Sequence, residues 1–307
     1  MEFTGERYVP SVKGEIKYEH LHRYALSLEL VSGKSVLDLA SGEGYGSALL
    51  AKVAQSVIGV DIDPESVEHA KQQYNGTQNL KFLVGSCDSV PLPNGSVEVV
   101  TSFETIEHHD RHEEMMREIK RVLKPGGLLI ISSPNRLTYS DEPNISNPFH
   151  IKELYYEELN SLLSRHFKYI TMFGQRLATA SFVFPLQEAY QTSIKTYTGS
   201  MNNLTQKFCI LNSPIYFIAI CSEEAESLQR NIDSVYIDRY DDLLKVIQND
   251  LHQTKEILER SQIELQQTQA QLQQTQTTIT AMESSKFWKL RRAWIGMKGV
   301  LGIERDG

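Results

Sequence analysis

The chain has 307 residues, a net charge of −8, and 40% hydrophobic against 23% charged residues, an ordinary globular composition with room for one large core and an appendage. Its acidity argues against bulk binding of nucleic acid, and three cysteines without CxxC spacing (Cys87, Cys209, Cys221) suggest neither a disulfide framework nor a cysteine zinc site. MEFTGERYVP has no apolar leader core and no apolar stretch reaches the ~20 residues of a membrane span, so a cytoplasmic setting is expected.

From the amino terminus, EIKYEHLHRYALS (15–27) reads as a helix carrying Glu19, His20, His22, Arg23 and Tyr24. Short β-branched runs then alternate with helical stretches: 35–39, 56–61, 80–85, 97–103, 127–133 and 214–221. Such alternation predicts an α/β fold with a parallel, twisted sheet, right-handed crossovers, and ligand at the carboxyl ends of the strands. The first strand ends in VLDLASGEGYGSALL (36–50), where Gly42, Gly44 and Gly46 allow a tight turn and close approach to a ligand ahead of a helix. The third glycine arrives one residue too early for the dinucleotide fingerprint GxGxxG. Asp38, at the strand end, would repel pyrophosphate and attract an ammonium or sulfonium group. The second strand ends at Asp61 and Ile62, and the third runs into FLVGSCDSVPLPNGSVEVV (82–100).

Past the fourth strand come Phe103, Glu104, Thr105, Ile106, Glu107 and His108. In a helical turn Glu104, Glu107 and His108 would share one face, and two carboxylates with an imidazole suit a divalent cation. The alternative is His108 acting as a metal-free general base, with Glu104 capping or salt-bridging. REIKRVLKPGGLLIIS (117–132) predicts a helix, a turn and the fifth strand, and 134–213 is long enough to cover an acceptor.

These motifs together, over residues 1–222, resemble the class I S-adenosylmethionine-dependent methyltransferases. The resemblance implies a Rossmann-like, mostly parallel sheet of seven strands, with PIYFIAIC (214–221) the candidate antiparallel strand. It implies that Asp38, Ala40, Gly42 and Gly44 hold the methionine end of S-adenosylmethionine, that Asp61 takes both ribose hydroxyls, and that Ile62 and Phe103 flank the cofactor. For adenine it leaves Ser86, the Cys87 backbone N–H and Asp88 as alternatives. The ExxEH pattern is similar to that of methyltransferases acting on vicinal hydroxyls, in which a later histidine completes a metal site. Here His150 in NPFHIKELYYEEL (147–159) would join Glu104, Glu107 and His108 around Mg or Mn, with Glu107 and His108 also the catalytic candidates. Arg23 or Tyr24 would cover the cofactor carboxylate. FTGERYVP followed by the 15–27 helix resembles a subgroup found with polysaccharide-building enzymes, which implies O-methylation of a sugar or glycan hydroxyl. The other readings are a quinone or phenolic acceptor, and a methyltransferase-like scaffold in a glycan-assembly complex.

After residue 222 there is no Gly or Pro until Gly296. Leu244, Leu251, Leu258, Leu265, Leu272 and Ile279 recur every seven residues, beside Ile247, Thr254, Ser261, Thr268, Thr275 and Met282. The repeat predicts a coiled-coil tail over 223–284 that makes a homo-oligomer, weakened by its polar seam; a solvated Gln-rich helix or disordered tail is the alternative. The last segment, 285–307, contains KFWKLRRAWIGMK (286–298), five cations interleaved with aromatic and aliphatic residues. It fits either peripheral contact with an anionic membrane face or docking on the globular domain.

Overall fold

Strands buried on both faces read as continuous apolar runs, because alternate side chains enter two different cores. The computed structural model shows this in detail. It describes residues 14–178, 211, 213–228, 234–236 and 242–300, together with the strands Thr196–Ser200 and Asn203–Lys207. The chain falls into two compact units, Met1–Arg239 and Tyr240–Gly307. The FTGERYVP motif and Cys209 lie outside the described residues.

In the first unit the order is α1 (Glu15–Val31), β1 (Ser35–Leu39), α2 (Tyr45–Leu50), β2 (Ser56–Asp61), α3 (Pro64–Gln73), β3 (Leu80–Val84) and β4 (Val97–Ser102). Then come α4 (His112–Val122), β5 (Leu123–Pro134), α5 (Tyr156–His166), β6 (Tyr169–Gln175), β7 (Thr196–Ser200), β8 (Asn203–Lys207) and β9 (Tyr216–Ser222). The main sheet has the order β3-β2-β1-β4-β5-β9-β6, and β7 pairs with β8 separately. Neighbours from β3 through β5 are parallel. β9 runs antiparallel to both β5 and β6, so PIYFIAIC is the reversed strand, as expected.

Val36, Leu128 and Ile130 enter one core with Leu30 and Val31 of α1, Leu50 of α2 and Val67 and Ala70 of α3. Leu37, Leu39, Leu129 and Ile131 enter the other with Met115, Met116, Ile119 and Val122 of α4 and Leu159, Leu162 and Leu163 of α5. Each such side chain, fully buried, stabilises the fold by about 1.5–3 kcal/mol. α3 starts where it does because Pro64 follows Asp63, whose carboxylate accepts from the Glu65 and Ser66 amides. At Pro125-Gly126-Gly127 the pairing jumps from Val97↔Leu123 to Val99↔Leu128, with Gly126 at φ 70°, so the turn is an out-looped stretch within β5.

The second unit contains α6 (Asp242–Ser284) and α7 (Lys286–Val300). The Gln-rich stretch is therefore helical, and within its own unit its heptad face is exposed among the described residues. Leu244, Leu251, Leu258, Leu265, Leu272 and Ile279 are all more than half exposed. Among the described residues no helix is long and apolar enough to cross a membrane.

α1 packs against α2 through a glycine. A Cβ at Gly46 would meet Tyr24 Cζ at 1.8 Å, and that ring is held edge-on against Tyr45 and Phe103. Gly46→Ala should therefore destabilise the domain by about 1–3 kcal/mol, with a thermal midpoint lower by several degrees in a circular-dichroism melt. An unchanged midpoint would contradict this close contact.

Candidate functional site

The strand order reverses between β1 and β4, whose crossovers leave on opposite faces, the position at whose carboxyl ends open α/β sheets take ligands. Just past each strand lies a non-glycine residue with left-handed backbone, Ala40 at φ 63° after β1 and Glu104 at φ 50° two residues after β4. Such conformations cost about 1–3 kcal/mol each and concentrate at functional sites.

On the β1 side, Gly42 and Gly44 also have positive φ. Gly44 lies so close to Phe82 that an added Cβ would meet its ring at 2.5 Å. The loop is pinned from β2: Asp61 Oδ2 accepts from the Gly42 amide at 2.8 Å, and Oδ1 from the Asp63 amide at 3.0 Å. Asp61 pairs across to Val84, which is half exposed, and Ile62 just beyond is largely exposed, so a carboxylate stands beside an apolar shelf. Asp38 is placed differently from the sequence expectation of an acid facing a ligand. It is buried beneath the loop, accepting from Ser47 Oγ at 2.6 Å and Thr101 Oγ1 at 2.8 Å, with Tyr24 Oη at 3.4 Å. Burial pushes its carboxyl up to about 6, the hydroxyls opposing that rise.

Past β3, the Ser86 hydroxyl donates to Asp88 Oδ1 at 2.5 Å, and Asp88 pairs with Arg111. Cys87 Sγ lies 3.3 Å from His109 Nε2, and burial pushes the thiol up to about 11, so it is no thiolate at neutral pH. Phe103 is buried against Tyr24.

At the end of β4 the expected helical face does not form. Only Ile106–His108 makes a single 3-10 turn, and the left-handed backbone of Glu104 separates it from Glu107. The Glu104 amide donates to Ser132 Oγ, which in turn donates to Glu104 Oε1 at 2.7 Å. Arg23 Nη2 lies 3.6 Å from the same oxygen. Arg23 itself is fully buried, with Nε donating to Gln175 Oε1 and the guanidinium over the Tyr216 ring. Burial opposes its charge, and Glu104, Tyr216 and Glu19 more than offset this.

Glu107, by contrast, is wholly buried with neither carboxylate oxygen hydrogen-bonded. Burial, and next the nearby Glu104, hold its carboxyl well above the usual carboxylate range. Its backbone carbonyl accepts the amides of Ile151 and Lys152, which draws the 149–152 segment in and delivers His150. Ligand atoms of Glu107, His108 and His150 lie within 4.8 Å of one another. Nδ1 of His108 faces the Phe149 carbonyl at 3.0 Å, so a neutral ring keeps its lone pair on Nε2. His150 Nδ1 faces Glu153 Oε1 at 2.6 Å, and Asn147 Nδ2 donates to Nε2 at 3.0 Å. The structure thus assembles three of the four expected metal ligands and places Glu104 with Ser132 and Arg23.

Sequence reasoning missed Ser132, Asn147, Glu153 and Gln175 as supports of the site. Ser132, Asn147 and Glu153 lie within stretches read for other features, and for Ser132 and Gln175 chain distance hides the partner.

Residues 37–131 match the family model described as a methyltransferase domain. The chain is 39% identical over 168 residues to proteins named as probable S-adenosylmethionine-dependent methyltransferases of Mycolicibacterium smegmatis and Mycobacterium tuberculosis. The match spans 53% of this chain and 63% and 60% of those two, so less than two thirds of either relative is covered. A 2-methyl-6-phytyl-1,4-hydroquinone methyltransferase of Synechocystis is 34% identical over 108 residues, 35% of this chain and 34% of that protein. A solved methyltransferase of Thermotoga maritima is similar at 18% identity and a TM-score of 0.49, over 68% of this chain and 90% of that one, a distance at which the likeness adds nothing to the strand order.

Asp61→Ala removes both the clamp on Gly42 and the carboxylate at the shelf. It should weaken binding of S-adenosylhomocysteine by about 1.5–3 kcal/mol, the scale of a hydrogen bond to a charged group, read by calorimetry on the folded variant. Unchanged affinity would remove Asp61 from the cofactor site.

Proposed function

We propose that this chain, which carries a class I S-adenosylmethionine-dependent methyltransferase domain, transfers the methyl group to a hydroxyl with the help of a divalent cation held at Glu107, His108 and His150. The observation that carries this reading is the Glu107 carboxylate, buried with both oxygens unpartnered, beside two imidazoles. A buried carboxylate without hydrogen bonds is costly, and a cation is the ligand that would relieve it. Two imidazoles and one carboxylate suit Mn better than Mg, which prefers oxygen and water. At His150 the ion would replace the Asn147 hydrogen bond, while Glu153 on Nδ1 orients the ring and raises its basicity. Such an ion lowers the pKa of a bound hydroxyl.

The protein's own groups supply the rest. Asp61 and the glycine loop fix the cofactor on the β1–β2 side, and the β4 edge holds the acceptor opposite it, so that nucleophile and methyl carbon meet in line. The Ser86 and Asp88 side chains are engaged with each other and with Arg111, which supports the Cys87 backbone as the adenine contact. A sugar or glycan hydroxyl is the acceptor class we favour, on the resemblance carried by FTGERYVP and EIKYEHLHRYALS. The relation to the Synechocystis hydroquinone methyltransferase favours a phenolic hydroxyl as the second reading.

Chelator should abolish turnover by the full chain while leaving S-adenosylhomocysteine affinity unchanged, and added Mn should restore it. Glu107→Gln should behave like the chelated protein. Full activity in chelator would refute the cation and leave His108 as general base.

We further propose that α6 pairs with a second copy of the chain. Its seam is polar in composition, yet the hydroxyls of Thr254, Thr268 and Thr275 donate to the carbonyls four residues back, each at 2.8 Å. Their polar atoms are satisfied by the helix itself, which supports apolar packing of the threonine methyls beside the leucines. Sedimentation should show a concentration-dependent oligomer, lost in Leu258→Asp/Leu265→Asp and strengthened in Thr268→Val/Thr275→Val. A monomer at all concentrations would refute this pairing.

A further inference from the structure

The second unit ends in a helix whose composition has no counterpart in the rest of the chain. α7 carries Lys286, Lys289, Arg291, Arg292 and Lys298 and no acidic residue through 298, in a chain of net charge −8. Phe287, Leu290, Trp294 and Met297 are spaced i, i+3, i+7 and i+10, which places them in one narrow stripe along the helix. They are 79%, 70%, 56% and 58% exposed, far more than apolar residues that pack within a chain. On the helical wheel Lys286 flanks this stripe on one side and Lys298 and Arg291 on the other. Lys298 Nζ lies 4.3 Å from the Trp294 ring, and the Arg291 guanidinium 5.2 Å from the Trp288 ring, so cations and indoles already sit side by side.

A second copy of α7 is not the natural occupant of this stripe. Continuing the heptad of α6 past Ser285 puts Lys286 and Lys289 on the seam, where like charges would face each other. Phe287 and Trp294 fall outside the seam, and Leu290 and Met297 only border it, so a paired helix would leave most of the stripe uncovered. The partner that fits is a surface that is apolar beneath, anionic above, and broad enough to meet a whole stripe. Aromatic rings at headgroup depth with flanking cations on phosphates match that surface.

We propose that α7 is a binding element for anionic lipid, lying in the plane of a bilayer face with Phe287, Leu290, Trp294 and Met297 in the acyl boundary and its five cations at the phosphates. This site is independent of the methyl-transfer reading, since it uses no residue of the first unit. If α6 brings copies together, two such helices act at once, and weak individual contacts add up to stable attachment.

The chain contains two tryptophans, Trp288 and Trp294, and both belong to α7, so the intrinsic indole fluorescence of the intact protein reports this helix alone. The full chain is mixed with vesicles of phosphatidylcholine, or of phosphatidylcholine with about one third phosphatidylglycerol, and with soluble polyglutamate. The expected result is a blue-shifted emission and co-sedimentation with the anionic vesicles only, weakened at least tenfold in high salt. Lys289→Glu/Arg292→Glu should lose binding at least tenfold, and Leu290→Ser/Met297→Ser should lose the blue shift while both variants keep the circular dichroism and S-adenosylhomocysteine binding of the parent. Absence of a shift and of co-sedimentation overturns the proposal. So does an equal response to polyglutamate, which would make α7 a docking site for acidic protein, or a shift that tracks protein concentration without vesicles, which would make it a self-association surface.

Discussion

The cost of burying a carboxylate organises the carboxyl edge of this sheet, and three acids there meet it in three ways. Asp38 is surrounded by hydroxyls from β4, α2 and α1, and becomes a structural pin under the glycine loop. Glu104 exchanges two hydrogen bonds with Ser132 and faces the Arg23 guanidinium. Glu107 is wholly buried with no hydrogen bond to either carboxylate oxygen, and burial with the nearby Glu104 holds its carboxyl well above the usual range. Two of the three acids have hydrogen-bonding neighbours and the third has none, so Glu107 carries the largest burial cost at this edge.

Consecutive residues of α1 serve two of these solutions. Arg23 reaches Glu104 and Gln175 of β6, while Tyr24 reaches Asp38 under β1. Gln175 also donates to the Glu19 carbonyl, so the edge strand β6 holds the helix that holds the arginine. The ends of β1 and β4 are thereby linked through one helical turn, and a displacement of α1 would disturb both together.

Much of the frame was legible because its physics is local. Continuous β-branched runs marked the central strands, the alternation of those runs with helical stretches marked the crossovers, and Gly42 and Gly44 marked the turn. β6 escaped because YITMFGQ is an edge strand, only partly buried along most of its length, so no apolar run announces it. Glu104 was misplaced for a related reason: spacing of i, i+3, i+4 presumes a helix, and nothing local reports that a residue will be held left-handed by a serine 28 positions away. The approach of His150 to Glu107 was expected from resemblance alone; the hydrogen bonds that cause it join backbones more than 40 residues apart and leave no trace in side-chain pattern.

Those backbone bonds carry an evolutionary consequence. His150 is brought to the edge by its immediate successors in the chain, Ile151 and Lys152 on the Glu107 carbonyl, and is steadied by Glu153 and Asn147 and by the Tyr139 ring stacked on it. Residues 142–146 make none of these contacts and are exposed or nearly so, so that short stretch can change character while the histidine keeps its station. A lineage built on this scaffold could vary the surface at that turn without disturbing the cluster of Glu107, His108 and His150.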